Sequence, residues 1–159
     1  MNILLDSIDI AILKILQKDG RASIKSIAEQ VYVSSPTVAT RIEAMEKGGI
    51  ILGYSVKINE NIMGNPVKAF VNLELLPKQK EELYSFLRRS YNVIECSHVT
   101  GEYSVLIKSI FKNTEELERF IGKLQDFGRT KTQIVFSSVI DHRGFSLDSA
   151  VVNDKPNIK

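Results

Sequence analysis

Apolar positions recur along this chain with two different periods, one in each half. In the first half the spacing is three and four, as on one face of a helix. Ile8, Ile12, Ile15 and Leu16 form such a stripe behind Asp6, a capping residue, and Asp19-Gly20-Arg21 ends it. Ser23 caps a second helix that turns Ile24, Ile27, Ala28 and Val31 inward. Tyr32-Val33-Ser34 is a tight connection to a third helix over residues 34–49. Two serines and a proline open that helix, and Gly48-Gly49 stops it. Val38, Ile42 and Met45 face inward; Thr37, Thr40, Arg41, Ala44 and Lys47 lie opposite. Three short helices with a three-residue turn before the last make a helix-turn-helix.

From residue 50 the period changes to two. Residues 50–58 read as a connecting strand, and the Asn-rich stretch 59–65 as a linker before Pro66. Val67, Ala69, Val71, Leu73 and Leu75 then alternate with Lys68, Phe70, Asn72 and Glu74, a half-buried strand. Residues 81–90 return to helical spacing with Leu83, Phe86 and Leu87 inward. Strands follow over 93–100 and 103–111, joined by a very short turn at Gly101-Glu102 and therefore antiparallel. Thr114 caps a helix with Leu117, Phe120, Ile121 and Leu124 on its core stripe, and a last strand covers about 132–140. The order β-α-β-β-α-β is the ferredoxin-like split arrangement, so the class is α+β. The divisions expected are a helix-turn-helix domain over 1–58, a linker over 59–65, a ferredoxin-like domain over 66–142, and a polar tail over 143–159, loose from Asp148 onward.

Composition narrows the chemistry. A single cysteine, Cys96, excludes an intrachain disulfide and a multi-cysteine metal site, and two histidines are few for a zinc cluster. His98 reads as a packed side chain and Cys96 as a small core residue. Neither a catalytic constellation nor a cofactor or metal site is expected. The first residues lack a basic region ahead of the apolar ones, and no apolar run reaches membrane-spanning length, so a cytoplasmic location is expected. Net charge is only +2, and residues 1–62 hold five Lys and two Arg against three Asp and four Glu. Any electrostatic footprint for nucleic acid is therefore local, and affinity must be built by presenting several copies.

The outer face of the third helix is where such a footprint fits. Small hydroxyls and one arginine suit a surface that approaches the major groove closely. Arg41 is expected to lead the contact, because Glu43 and Glu46 lack the offset to pair with it along the helix. Ser35, Thr37, Thr40 and Lys47 support it, and Arg21 and Lys25 meet phosphates. A plain three-helix bundle is the alternative for these same residues.

The two halves together resemble the Lrp/AsnC family, the leucine-responsive and asparagine-type feast/famine regulators. LDSIDIAILKILQKDGRASIKSIAEQV and VSSPTVATRIEAMEKGGIILGY are similar to its opening and recognition helix; VTGEYSVLIK and TKTQIVFSSV are similar to its sensing hairpin and final strand. The resemblance implies transcriptional regulation on double-stranded DNA and homodimers built through the second domain. It also implies further assembly into an octamer of four dimers, tuned by an amino acid or related small effector held between dimers. It places effector contacts at Gly101, Glu102, Tyr103, Ser104, Gln133, Ile134 and Val135. Three departures stand out, one being that the recognition region carries fewer basic residues than is usual for a DNA reader. Tyr32 occupies a turn position often held by glycine, and Ser104 replaces the aspartate that would pair with an ammonium group. Two other functions fit this architecture. One is a siroheme decarboxylase-like enzyme drawing on His98, Arg88, Arg89 and Arg143; the other is a nucleoid-type protein of low specificity.

Overall fold

Asp6 opens helix α1 (Ser7–Lys18) with a reciprocal capping box, its side chain on the Asp9 N–H and the Asp9 side chain on its own. In this computed structural model, which describes residues 5–141 and 144–148, two compact units appear. The first contains residues 1–56 and 142–159, and the second residues 57–141.

In the first unit α1 packs with α2 (Ile24–Val31) and α3 (Ser35–Lys47). Ile12, Ile27, Ala28, Val38, Ile42 and Met45 are its buried centre, as the periodicity requires. Ile24 differs: as the first residue of α2 it remains 37% exposed. Ser23 and Ser34 cap α2 and α3 through the N–H groups of Ser26 and Thr37. Tyr32 closes α2 in the left-handed region, at φ 56° and ψ 40°, with its side chain 94% exposed. A non-glycine residue pays about 1 kcal/mol for that geometry, and no burial of the ring offsets it.

Residues 50–58 form no ladder, contrary to the strand expected there. An extended segment forms a ladder only beside another strand, and no described strand pairs with this one. Leu52, Tyr54, Val56 and Ile58 alternate on it and are 92%, 54%, 83% and 61% exposed.

The second unit is a four-stranded antiparallel sheet in the order β2-β3-β1-β4, built from β1 (Val67–Leu75), β2 (Val93–His98), β3 (Val105–Phe111) and β4 (Gly128–Ile134). Helices α4 (Lys80–Arg89) and α5 (Thr114–Gln125) supply the other layer. Ala69, Val71, Leu73, Val105, Ile107 and Phe111 meet Leu83, Leu87, Leu117, Phe120 and Leu124 in one core. Asn113, not Thr114, caps α5.

The last strand sits four residues earlier than its apolar pattern suggested. β4 starts directly after Phe127, which is buried, and its last tie to β1 is the Val135 N–H on the Lys68 carbonyl. Because β1 begins at Val67, residues beyond 135 have no strand to pair with. Gly128 makes the early start possible. At φ 151° its Cα lies so close to the Glu74 backbone that any Cβ would fall on that carbonyl oxygen. The β2–β3 connection is also longer than expected, spanning residues 99–104 with Gly101 at φ 117°. Cys96, expected inside, is exposed on the edge strand β2.

Residues 144–148 are tied down, including Asp148, where a loose tail was expected to begin. They lie along α1: Gln17 Nε2 donates to the Phe145 carbonyl at 3.4 Å, Lys14 pairs with Asp148 at 2.5 Å, and Leu147 is 9% exposed. Gln17 and Lys14 share a stripe of α1 with Ile10, which is 6% exposed although outside the three-helix core. His142, Arg143 and residues 149–159 lie outside the described residues.

Candidate nucleic-acid and effector sites

The outer face of α3 carries Thr37, Thr40, Ala44 and Lys47 in the open, flanked by a half-buried Ser35. The hydroxyls are already partly engaged. Thr37 Oγ1 lies 2.8 Å from Ser34 Oγ, and Thr40 Oγ1 donates to the Pro36 carbonyl at 3.0 Å. These local bonds fix side-chain rotamers while leaving acceptor lone pairs facing outward. Capping here is the work of Ser34, which leaves Ser35 at the first helical position. Lys47 pairs with Glu43 one turn back at 2.5 Å, both side chains well exposed, a contact of small net worth.

Arg41 is placed differently from the sequence expectation. Its guanidinium crosses to α1, with Nη1 at 2.7 Å from Asp6 and 2.8 Å from Asp9. Helical spacing alone could not reveal these partners, which lie thirty-five and thirty-two residues away. Partial burial opposes the charge, but hydrogen bonds to Asp9 and then Asp6 outweigh it and raise the Arg41 pKa. Asp6 moves the opposite way. Burial works to raise it, while the Asp9 N–H and the Arg41 guanidinium together hold it below the ordinary aspartate range. Arg41 thus ties the middle of α3 to the capping box of α1. Arg21 and Lys25, by contrast, are exposed, and no described carboxylate holds either side chain.

The residues expected around an effector fall into two groups. At one end of the sheet, Ser104 Oγ accepts from the Leu75 N–H at 3.2 Å, and the Ser104 N–H donates to the Leu73 carbonyl at 3.1 Å. Glu102 pairs with Arg129 at 2.5 Å, Arg129 also holds Glu74 at 3.0 Å, and its guanidinium lies 5.3 Å from the Tyr103 ring centre. The hydroxyl of Ser104 therefore closes the end of β1, and the carboxylate of Glu102 is occupied. At the other end, Gln133 faces Phe70 and Ile134 faces Ala69 across the β4–β1 ladder, with Ile134 45% exposed. Four ladder positions separate Ala69 from Leu73, about 13 Å of strand. One chain does not bring the two groups together.

His98 is engaged in packing. Its Nδ1 is 3.1 Å from the Ser104 carbonyl, and its ring meets Tyr84 edge-on at 5.5 Å. Arg88 and Arg89 sit in the last turn of α4, on another element.

Comparison with known proteins covers both units. Residues 5–51 match the profile described as winged helix-turn-helix DNA-binding, and residues 68–145 the one described as Lrp/AsnC ligand binding domain. An uncharacterised HTH-type transcriptional regulator of Pyrococcus abyssi is 32% identical over 86% of this chain and 95% of its own. The structure of Bacillus subtilis LrpC superposes with a TM-score of 0.83 at 27% identity, covering 88% of this chain and all (100%) of that one. A feast or famine regulatory protein of M. tuberculosis, complexed with L-methionine, gives 0.82 at 27% identity over 88% of this chain and 97% of its own.

Proposed function

The chain belongs to the Lrp/AsnC family of helix-turn-helix transcriptional regulators, and on that premise we propose how its residues divide the work. The reading rests on one observation above the others: α3 exposes a small, polar face whose rotamers are fixed from within. Such a face enters the major groove at low entropic cost, with Ser35, Thr37, Thr40 and Lys47 nearest the bases. Arg21 and Lys25 take phosphates. Arg41 acts as a positioning residue that sets the angle of α3 through α1.

The protein binds as a homodimer or an assembly of dimers up to an octamer. Two features support this. The first unit has little net charge, so one copy holds DNA weakly. The extended segment 50–58, which joins no ladder among the described residues, also offers a second copy a strand edge with four exposed apolar residues. The same assembly would bring the hairpin group of one chain to the Gln133–Val135 group of another and so complete an effector site. An amino acid is the first ligand to try there, since a relative of the same fold was solved with L-methionine. With Ser104 closing β1 and Glu102 held by Arg129, no free carboxylate of the hairpin awaits an ammonium group.

The test is anisotropy titration of DNA fragments recovered by genome-wide pull-down. Arg21→Gln and Lys25→Gln should each weaken binding alike for all fragments and lower the slope of log K against log salt by about one. Unchanged slopes would remove both residues from the interface.

A further inference from the structure

The second unit holds a cavity of about 330 Å³ on its helical side, away from the hairpin. It opens between the end of α4, the turn into β2 and the flank of α5. Three cations line it: Arg89, Arg119 and Lys123. None of them enters an ion pair among the described residues, although Lys108 and Arg129 elsewhere in this unit each hold a carboxylate. The one carboxylate in the lining, Glu116, already accepts the Lys112 N–H at 3.3 Å. The floor is apolar, with Phe111 and Phe120 at 5.4 Å between ring centres.

Unpaired like charges gathered around a concave surface repel one another, so they are satisfied best by an anion brought from outside. The aromatic floor removes water from one side and strengthens each interaction at the mouth. Two guanidiniums favour planar or tetrahedral oxyanions that accept two hydrogen bonds at once. The volume lies at the small end of ligand pockets. We propose that this cavity binds a small organic anion, a carboxylate or phosphate carrying an aromatic or branched apolar body, at a site separate from the effector hairpin. The charge excess, three cations to the single carboxylate Glu116, favours anions over zwitterions.

Calorimetry on the full chain tests this with phenylpyruvate and phenyl phosphate as probes and phenylalanine as the zwitterionic control. One or both anions should bind with a Kd of about 1 mM or tighter, and phenylalanine at least ~10-fold more weakly. Arg89→Gln/Arg119→Gln should weaken the anions at least ~10-fold, and Glu102→Gln at the hairpin should leave them unchanged. Both arginines are exposed, so the double variant should keep its melting temperature; should it not, Lys123→Gln alone carries the same expectation with a smaller loss. No saturable heat up to ~10 mM, equal affinity in the double variant, or loss in Glu102→Gln would each overturn the proposal. So would a double variant that loses DNA affinity while its anion affinity stays the same.

Discussion

Arg41 shows how one side chain changes the meaning of a helix. A sequence places it on the outer face of α3 among small polar residues, with no suitable partner along the helix. The structure gives it two carboxylates on α1, and its own side chain is 27% exposed. Arg41→Met should cost about 1–2 kcal/mol, because two part-buried carboxylates lose their counter-charge while solvent screens some of the loss. The effect carries a pH signature. Asp6 has a lowered folded pKa, so its contribution is present above the unfolded aspartate pKa and disappears as pH falls through the folded one. Thermal melts should therefore show a gap between variant and parent at neutral pH that closes below the ordinary aspartate range. A gap independent of pH would assign the loss to packing. The capping residues Asp6, Ser23 and Ser34 were legible because a cap is local; the partners of Arg41 were not, because they depend on how α1 and α3 cross.

Whole elements were read well where the pattern is about burial and less well where it is about pairing. The five α-helices and the alternation of β1 follow from periodicity, since every inward position there except Ile24 packs into a core of its own unit. Strand ends follow from the neighbour instead. β4 stops where β1 begins, and residues 50–58 join no sheet among the described residues. Gly128 marks the beginning of β4 for a reason that no alternation encodes, the closeness of the Glu74 carbonyl. Gly128→Ala should destabilise the second unit by about 2–4 kcal/mol, through both the clash and the backbone angle. Urea unfolding would show it, and a loss below ~0.5 kcal/mol would mean that β1 and β4 separate easily there.

At the scale of the molecule, legibility ends where a second copy begins. The sequence resemblance placed seven residues around one effector, and a single chain leaves them in two groups at opposite ends of a sheet. The exposed segment 50–58 tells the same story. If it pairs with its counterpart, Leu52→Lys/Val56→Lys should shift the protein to smaller assemblies in light scattering and weaken DNA binding, with the melting of the isolated units little changed. Assemblies of undiminished mass would transfer dimerisation to the sheet.

The return of residues 144–148 to α1 has an architectural meaning. The chain leaves the DNA-binding unit near residue 56, builds the sensing unit, and returns to α1. The sensor is thus an insertion, and the reader of DNA is a discontinuous domain held at two ends. A fragment cut after residue 56 would lack the contacts on Lys14 and Gln17, so exchanging sensors between such proteins requires two junctions. For signalling, the same topology gives the recognition helix one covalent link to the sensor, near residue 56, while residues 144–148 bear on α1 through non-covalent contacts.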